Sequence, residues 1–343
     1  MNNPTEEAET LAGELTAFLR GNGHLDADGT VTKVVQLDGG WSRNTYRAEG
    51  TNVGRDVSLI VRAEVGAGLT GTPLDTEFAI YRDLQEFGTA TPQVYGMKEA
   101  ADNAFGGPYF VMELLAGSAP NLWRWDVHDD LRSNWEGSKS LARDLVENLA
   151  AINLIAPDKA PKALDHLGPT DLINKWRTVY VENRLRRDPI VEEAFAWLEE
   201  NLPAPGRQGL VHGDYRLGNL LVADDRITAV LDWELAHVGD VNYDLGYVAL
   251  EYIAGKHLLP KTELLAGVAD ADWFFAEYER LTGDKVDRGA VRWWSVLTLV
   301  TLIVMAMIGF SAYASGQAKD IRRVWSRWAL PGLRQELTQL SGW

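Results

Sequence analysis

Two short apolar runs, residues 220–222 and 227–231, flank the polar turn ADDR, and the simplest structure for such a stretch is a β-hairpin. In that hairpin the start of one strand lies beside the end of the other, which brings Asn219 and Asp232 together. An amide oxygen and a carboxylate then converge. Hard oxygen ligands of this kind suit Mg²⁺, which keeps several waters and commonly completes its shell with substrate phosphates. Just upstream, VHGDYRLGN sets His212, Asp214 and Asn219 in the order HxDxxxxN. Held apart from the metal pair, Asp214 is placed to accept a proton from an attacking hydroxyl. An isolated aspartate beside glycine is ordinarily a turn former; here the loop, the hairpin length and the second acid agree on chemistry. His212 is expected to bond a backbone carbonyl in a buried loop rather than carry a proton.

The rest of the chain organises around that loop. Leu11, Leu15, Phe18 and Leu19 share one side of an opening helix. VTKVVQLDGGWSRNTYRAEG and RDVSLIVRAEV are β-rich, residues 75–87 read as a helix, and GPYFVMELLAG as a buried strand closed by Gly117 and Pro120. Helical patterns then dominate at 140–155, 173–187 and 190–202, and the chain beyond Asp232 is again read as helical. A strand-rich part precedes a helical part, so the expected class is α+β with two units, 1–116 and 117–343. Residues 293–318 carry no charge and are long enough for a membrane span; interruptions by Ser295, Thr298, Thr301 and Ser311 favour a helix buried on all sides.

Composition limits the partners. With 33 Lys+Arg against 49 Asp+Glu the net charge is -16, which repels nucleic acid and anionic membranes, so a polyanionic ligand needs local basic groups or a metal. The absence of cysteine rules out disulfides, thiol nucleophiles and thiolate metal sites. The acidic start MNNPTEEAET is unlike a secretory or mitochondrial leader, and a cytoplasmic location is expected. The oligomeric state stays open.

VHGDYRLGNLLV together with ITAVLDWELAHVGDVNYDLGYV resembles the aminoglycoside phosphotransferase family, a branch of the protein-kinase-like superfamily that phosphorylates small molecules and has HGD where protein kinases have HRD. The resemblance implies a bilobal kinase-like fold, a small antiparallel-sheet lobe (1–116) for the nucleotide and a larger, mainly helical lobe (117–343) for catalysis and the acceptor, with ATP between them. It implies Asp214 as catalytic base, Asn219 and Asp232 as Mg²⁺ ligands, His212 as loop support and Asp244 as loop anchor. Glu234 reads equally as a contact to the metal's water shell or as an exposed carboxylate.

In LDGGWSRNTYRA, Gly39 and Gly40 permit close approach to phosphates and Ser42, Asn44 and Thr45 add polar contacts, although a plain hairpin turn fits the residues as well. By resemblance, Arg62 stands where kinases carry the phosphate-contacting lysine, with Glu77 as its partner; an ordinary helix-face acid is the rival reading of Glu77. Met112 would line the adenine pocket, and the backbones of Glu113 and Leu115 would bond the adenine edge. The expected activity is transfer of the γ-phosphate of ATP to a small-molecule hydroxyl, aminoglycoside-like or on a hydroxylated acyl metabolite. A kinase-fold pseudoenzyme that binds nucleotide as a regulator is the alternative.

Overall fold

The computed structural model describes residues 4–37, 43–64, 73–99, 102–255, 264–316 and 322–342. They fall into two compact units, Met1–Ala116 and Gly117–Trp343.

The first unit is a five-stranded antiparallel sheet in the order β1-β2-β3-β5-β4, built from β1 (Thr30–Leu37), β2 (Asn44–Asn52), β3 (Arg55–Ala63), β4 (Val94–Lys98) and β5 (Tyr109–Glu113), with α1 (Pro4–Gly21) and α2 (Leu74–Leu84). Alternation along β5 shows why both helices are needed. Tyr109 and Val111 point into a core with Leu11, Leu15 and Leu19 of α1. Phe110, between them, meets Phe78 and Tyr81 of α2 on the opposite face. α2 closes in a 3₁₀ turn, Gln85–Phe87, and Gly88 at φ 65° stops it.

In the second unit α3 (Trp125–Ser133), α4 (Trp135–Asn153), α5 (Pro169–Asn183) and α6 (Pro189–Glu200) precede two small strand pairs. β6 (Gln208–Val211) pairs with β9 (His237–Asp240), and β7 (Leu220–Ala223) with β8 (Arg226–Val230), both antiparallel. α7 (Asn242–Val248), α8 (Ala271–Thr282), α9 (Arg288–Ala314) and α10 (Arg322–Ser341) complete it. β9 corrects the helical reading of the chain after Asp232: all four of its residues are buried, so no polar face reveals the two-residue period. The apolar run is α9, whose Val296, Leu297, Leu299, Val300, Ile303 and Val304 are fully buried in a core shared with α5, α6, α7 and α10. It is long and apolar enough to cross a membrane, and burial within this unit accounts for its composition.

Candidate active site

The β7–β8 hairpin forms as its sequence pattern requires, with Leu220 opposite Val230 and Leu221 opposite Ala229. Asp224 and Asp225 turn the chain at φ 50° and 60°, the left-handed pair that matches strand twist in a tight hairpin. Asp144 of α4 ties the turn down, accepting from the Ile227 N–H at 2.9 Å and from Arg226 Nε at 2.7 Å. At the open end the Leu231 N–H donates to the Asn219 main-chain oxygen at 2.8 Å, so Asp232 begins beside Asn219. Asp232 itself sits at φ 68°, a left-handed conformation that a non-glycine residue adopts at a cost and that clusters at functional sites.

The loop between β6 and β7 is held from beneath. Asp244 of α7, fully buried, accepts the N–H groups of His212 (2.9 Å) and Gly213 (2.8 Å). Burial pushes its pKa up, while His212 and these N–H donors pull it down. Asn153 of α4 also donates to Asp244, at 2.9 Å, and to the Leu210 carbonyl at the same distance, while its own oxygen accepts the Tyr278 hydroxyl. Gly213 is at φ 85°, and a Cβ there would lie 2.5 Å from the Leu235 carbonyl oxygen, so the middle position of HGD admits only glycine. His212 Nε2 donates to the Leu231 carbonyl at 3.0 Å and Nδ1 accepts the Asp214 N–H at 3.1 Å, which fixes one neutral tautomer. Burial lowers its pKa, and the ring braces loop against hairpin.

Asp214 and Asn219 come together through these contacts, and the backbone sets Asp232 next along the chain from Leu231, which is bonded to Asn219. The Asn219 amide nitrogen donates to the Asp214 main-chain oxygen at 2.9 Å and to its Oδ2 at 2.6 Å. Spacing along the chain places Asp214 apart from the other two; the short 3₁₀ turn Leu217–Asn219 instead folds the amide back onto it. With its nitrogen committed, Asn219 has Oδ1 to offer a cation. Among the described residues no group of three or more His, Cys, Asp or Glu could hold a metal. An amide oxygen and a carboxylate are hard oxygen donors of the kind Mg²⁺ takes from protein, so the chemistry of the donor set fits it.

Two partners of Asp214 escaped the sequence reading. Arg216 Nε donates to Oδ1 at 3.1 Å, with its guanidinium folded across Gly218, where a Cβ would lie 2.1 Å from Nη1. The buried Tyr247 hydroxyl donates to the same oxygen. Burial pushes the phenol's pKa well up, which keeps it a donor. Asp244 and Tyr247 stand three apart on one face of α7, a spacing that could have flagged the tyrosine. Asp240 serves structure: its carboxylate accepts the N–H groups of Gly206 and Asn242.

In the first unit, Arg62 Nη2 meets Glu77 Oε1 at 2.7 Å, with Glu77 buried. Asn44 and Thr45 open β2, paired with Ala63 and Arg62, so they lie in a strand rather than in a turn. Met112 is buried between Ile60 and Val94. The Glu113 N–H is bonded to the Gln93 carbonyl at 2.8 Å, and Leu115 follows β5 in irregular chain. Gly39, Gly40 and Ser42 lie outside the described residues.

The family model described as the phosphotransferase enzyme family matches residues 33–283. Acyl-CoA dehydrogenase family member 10 of Mus musculus is 27% identical over 249 residues, covering 70% of this chain and 22% of that protein. The chain spans about a third or less of the length of the curated relatives it matches over most of its own length. A candidate aminoglycoside phosphotransferase of Ralstonia eutropha JMP134 superposes with a TM-score of 0.76 at 19% identity, over 96% of this chain and 98% of that one. A thermostable mutant of aminoglycoside phosphotransferase APH(4)-Ia, solved with AMP-PNP and hygromycin B, gives a TM-score of 0.57 at 17% identity, over 95% and 99% of the two chains. These structural likenesses establish a kinase-like α+β fold.

Proposed function

Because this chain belongs to the phosphotransferase enzyme family, we propose that it transfers the γ-phosphate of ATP to a hydroxyl of a small molecule, with Asp214 as the base and Asn219 and Asp232 as Mg²⁺ ligands. The observation that carries the proposal is the Asn219 amide bonded to Asp214 Oδ2 while its backbone is tied to the strand leading into Asp232. A carboxylate offers about four lone-pair sites, and Tyr247, Arg216 and Asn219 occupy three of those on Asp214. The fourth, on Oδ2, is where an acceptor hydroxyl would donate. As that proton moves to Oδ2, the hydroxyl oxygen bonds to the γ-phosphorus, the bond from phosphorus to the β,γ-bridging oxygen breaks, and ADP leaves. Bound Mg²⁺ would neutralise charge on the phosphates. Arg62 would contact phosphate oxygens, as its position on β3 beside Glu77 suits.

For the acceptor, the likeness to acyl-CoA dehydrogenase family proteins supports a hydroxylated acyl compound. The test is ADP release from Mg²⁺-ATP across a panel of hydroxylated acyl thioesters, free hydroxy acids and aminoglycosides. Stimulation by one acyl compound supports the proposal; nucleotide binding without transfer to any acceptor favours a regulatory nucleotide-binding protein.

A further inference from the structure

The guanidinium of Arg216 is held at two places. Its Nε donates to Asp214 Oδ1 at 3.1 Å, and the group turns back over Gly218, the residue before Asn219. The three atoms nearest to a Cβ at Gly218 would all belong to that guanidinium: the Cβ would overlap Nη1, and Cζ and Nη2 would follow at 3.2 Å and 3.9 Å. Gly218 does not take a positive φ, so its backbone suits any residue. The arginine is what requires glycine there.

Charge and exposure indicate what this seat serves. Asp214 and Asp232 are acids at the place where the proposed reaction brings in a triphosphate, in a chain whose net charge is -16. Burial disfavours the Arg216 charge, but Asp214 and Asp232 both favour it, and its pKa stands above the ordinary arginine value. The cation is permanent. A guanidinium carries five N–H donors in a rigid fork; Nε gives its one to Asp214, the other four lie on Nη1 and Nη2, and the side chain is 35% exposed. We propose that Gly218 seats Arg216 so that Nε holds the base while the Nη edge bonds oxygens of the phosphoryl group in transfer, Arg216 being a catalytic residue and Gly218 a positioning residue. The inference rests on the phosphotransfer reading above. No proton leaves the guanidinium; its donors meet the charge on the phosphoryl oxygens as the bond to the bridging oxygen breaks. One rigid group thereby sets the base and the phosphorus under attack relative to each other.

The test measures Mg²⁺-ATP affinity by titration calorimetry, and ADP release from ATP and from ATPγS, for wild type, Arg216→Met, Gly218→Ala, the Gly218→Ala/Arg216→Met pair and Tyr247→Phe, which disturbs the base from its other side. Wild type that binds no ATP, or binds it and releases no ADP, defeats the phosphotransfer reading itself, and this inference with it. Where the wild type turns over, Arg216→Met is expected to slow release from ATP about a hundredfold, with ATP affinity kept within about threefold. Sulfur is a poor hydrogen-bond acceptor, so ATPγS already forfeits much of what the arginine supplies and its release slows far less. The ratio of the ATP rate to the ATPγS rate therefore contracts in Arg216→Met and is kept in Tyr247→Phe. Gly218→Ala slows release in the wild type and costs nothing further beside Arg216→Met, as coupled positions do. An unchanged rate in Arg216→Met, a wild-type ratio in that variant, or an equal cost of Gly218→Ala with and without Arg216→Met would each overturn the assignment.

Discussion

The hydroxyl of Tyr247 donates to Oδ1 of Asp214, the oxygen that Arg216 also engages, while Oδ2 accepts from Asn219. Asp214 is thereby orientated by groups from two elements, its own loop and α7. Removal of the hydroxyl in Tyr247→Phe keeps the ring and frees Oδ1 to rotate. We expect kcat to fall roughly tenfold with the KM for ATP little changed, and stability to drop by about 1–2 kcal/mol. Steady-state kinetics and urea denaturation read both; an unchanged kcat removes the tyrosine from the positioning of the base.

Asn153 supports the same loop from further away, bonding the Leu210 carbonyl, Asp244 and the Tyr278 hydroxyl with one buried amide. Asn153→Ala strands all three, so we expect a loss of about 2–4 kcal/mol in chemical denaturation. Leu210 and Asp244 flank the HGD segment, and activity should fall with stability. A loss below about 0.5 kcal/mol would show that the network is dispensable.

Stability should also depend on pH through His237. Its ring is buried, Nδ1 donates to the Leu235 carbonyl, and burial, with Lys175 nearby, lowers its pKa from 6.5 to about 4. The folded state holds the neutral ring, so its contribution is fully present above 6.5 and is lost as pH falls toward about 4. Between pH 7 and pH 5 this amounts to about 2 kcal/mol. His237→Phe should flatten the profile by that amount relative to wild type, read by denaturation at the two pH values; parallel profiles would contradict it.

Much of this site is legible in the sequence because its key contacts are local. The hairpin that carries Asn219 toward Asp232 has a contiguous turn and apolar runs, although a bulge after Leu221 shifts its register. The partners Tyr247 and Asn153 are not legible in that way. Tyr247 is 33 residues from Asp214 and is marked only by its helical spacing from Asp244, and Asn153 is 91 from Asp244 with no periodic pattern joining the two. β9 evades the pattern for a related reason: a short strand buried on every side carries no alternation. Arg43 directly precedes β2, yet its counter-ions Glu64 and Glu77 become apparent only when β2, β3 and α2 are assembled.

The most direct measurement is the rate of Mg²⁺-dependent ADP release by Asp214→Ala beside its nucleotide affinity. The account predicts a fall of at least about a hundredfold in release, as expected for loss of a general base, with ATP bound within a few-fold of wild type. Release at the wild-type rate from this variant would contradict it.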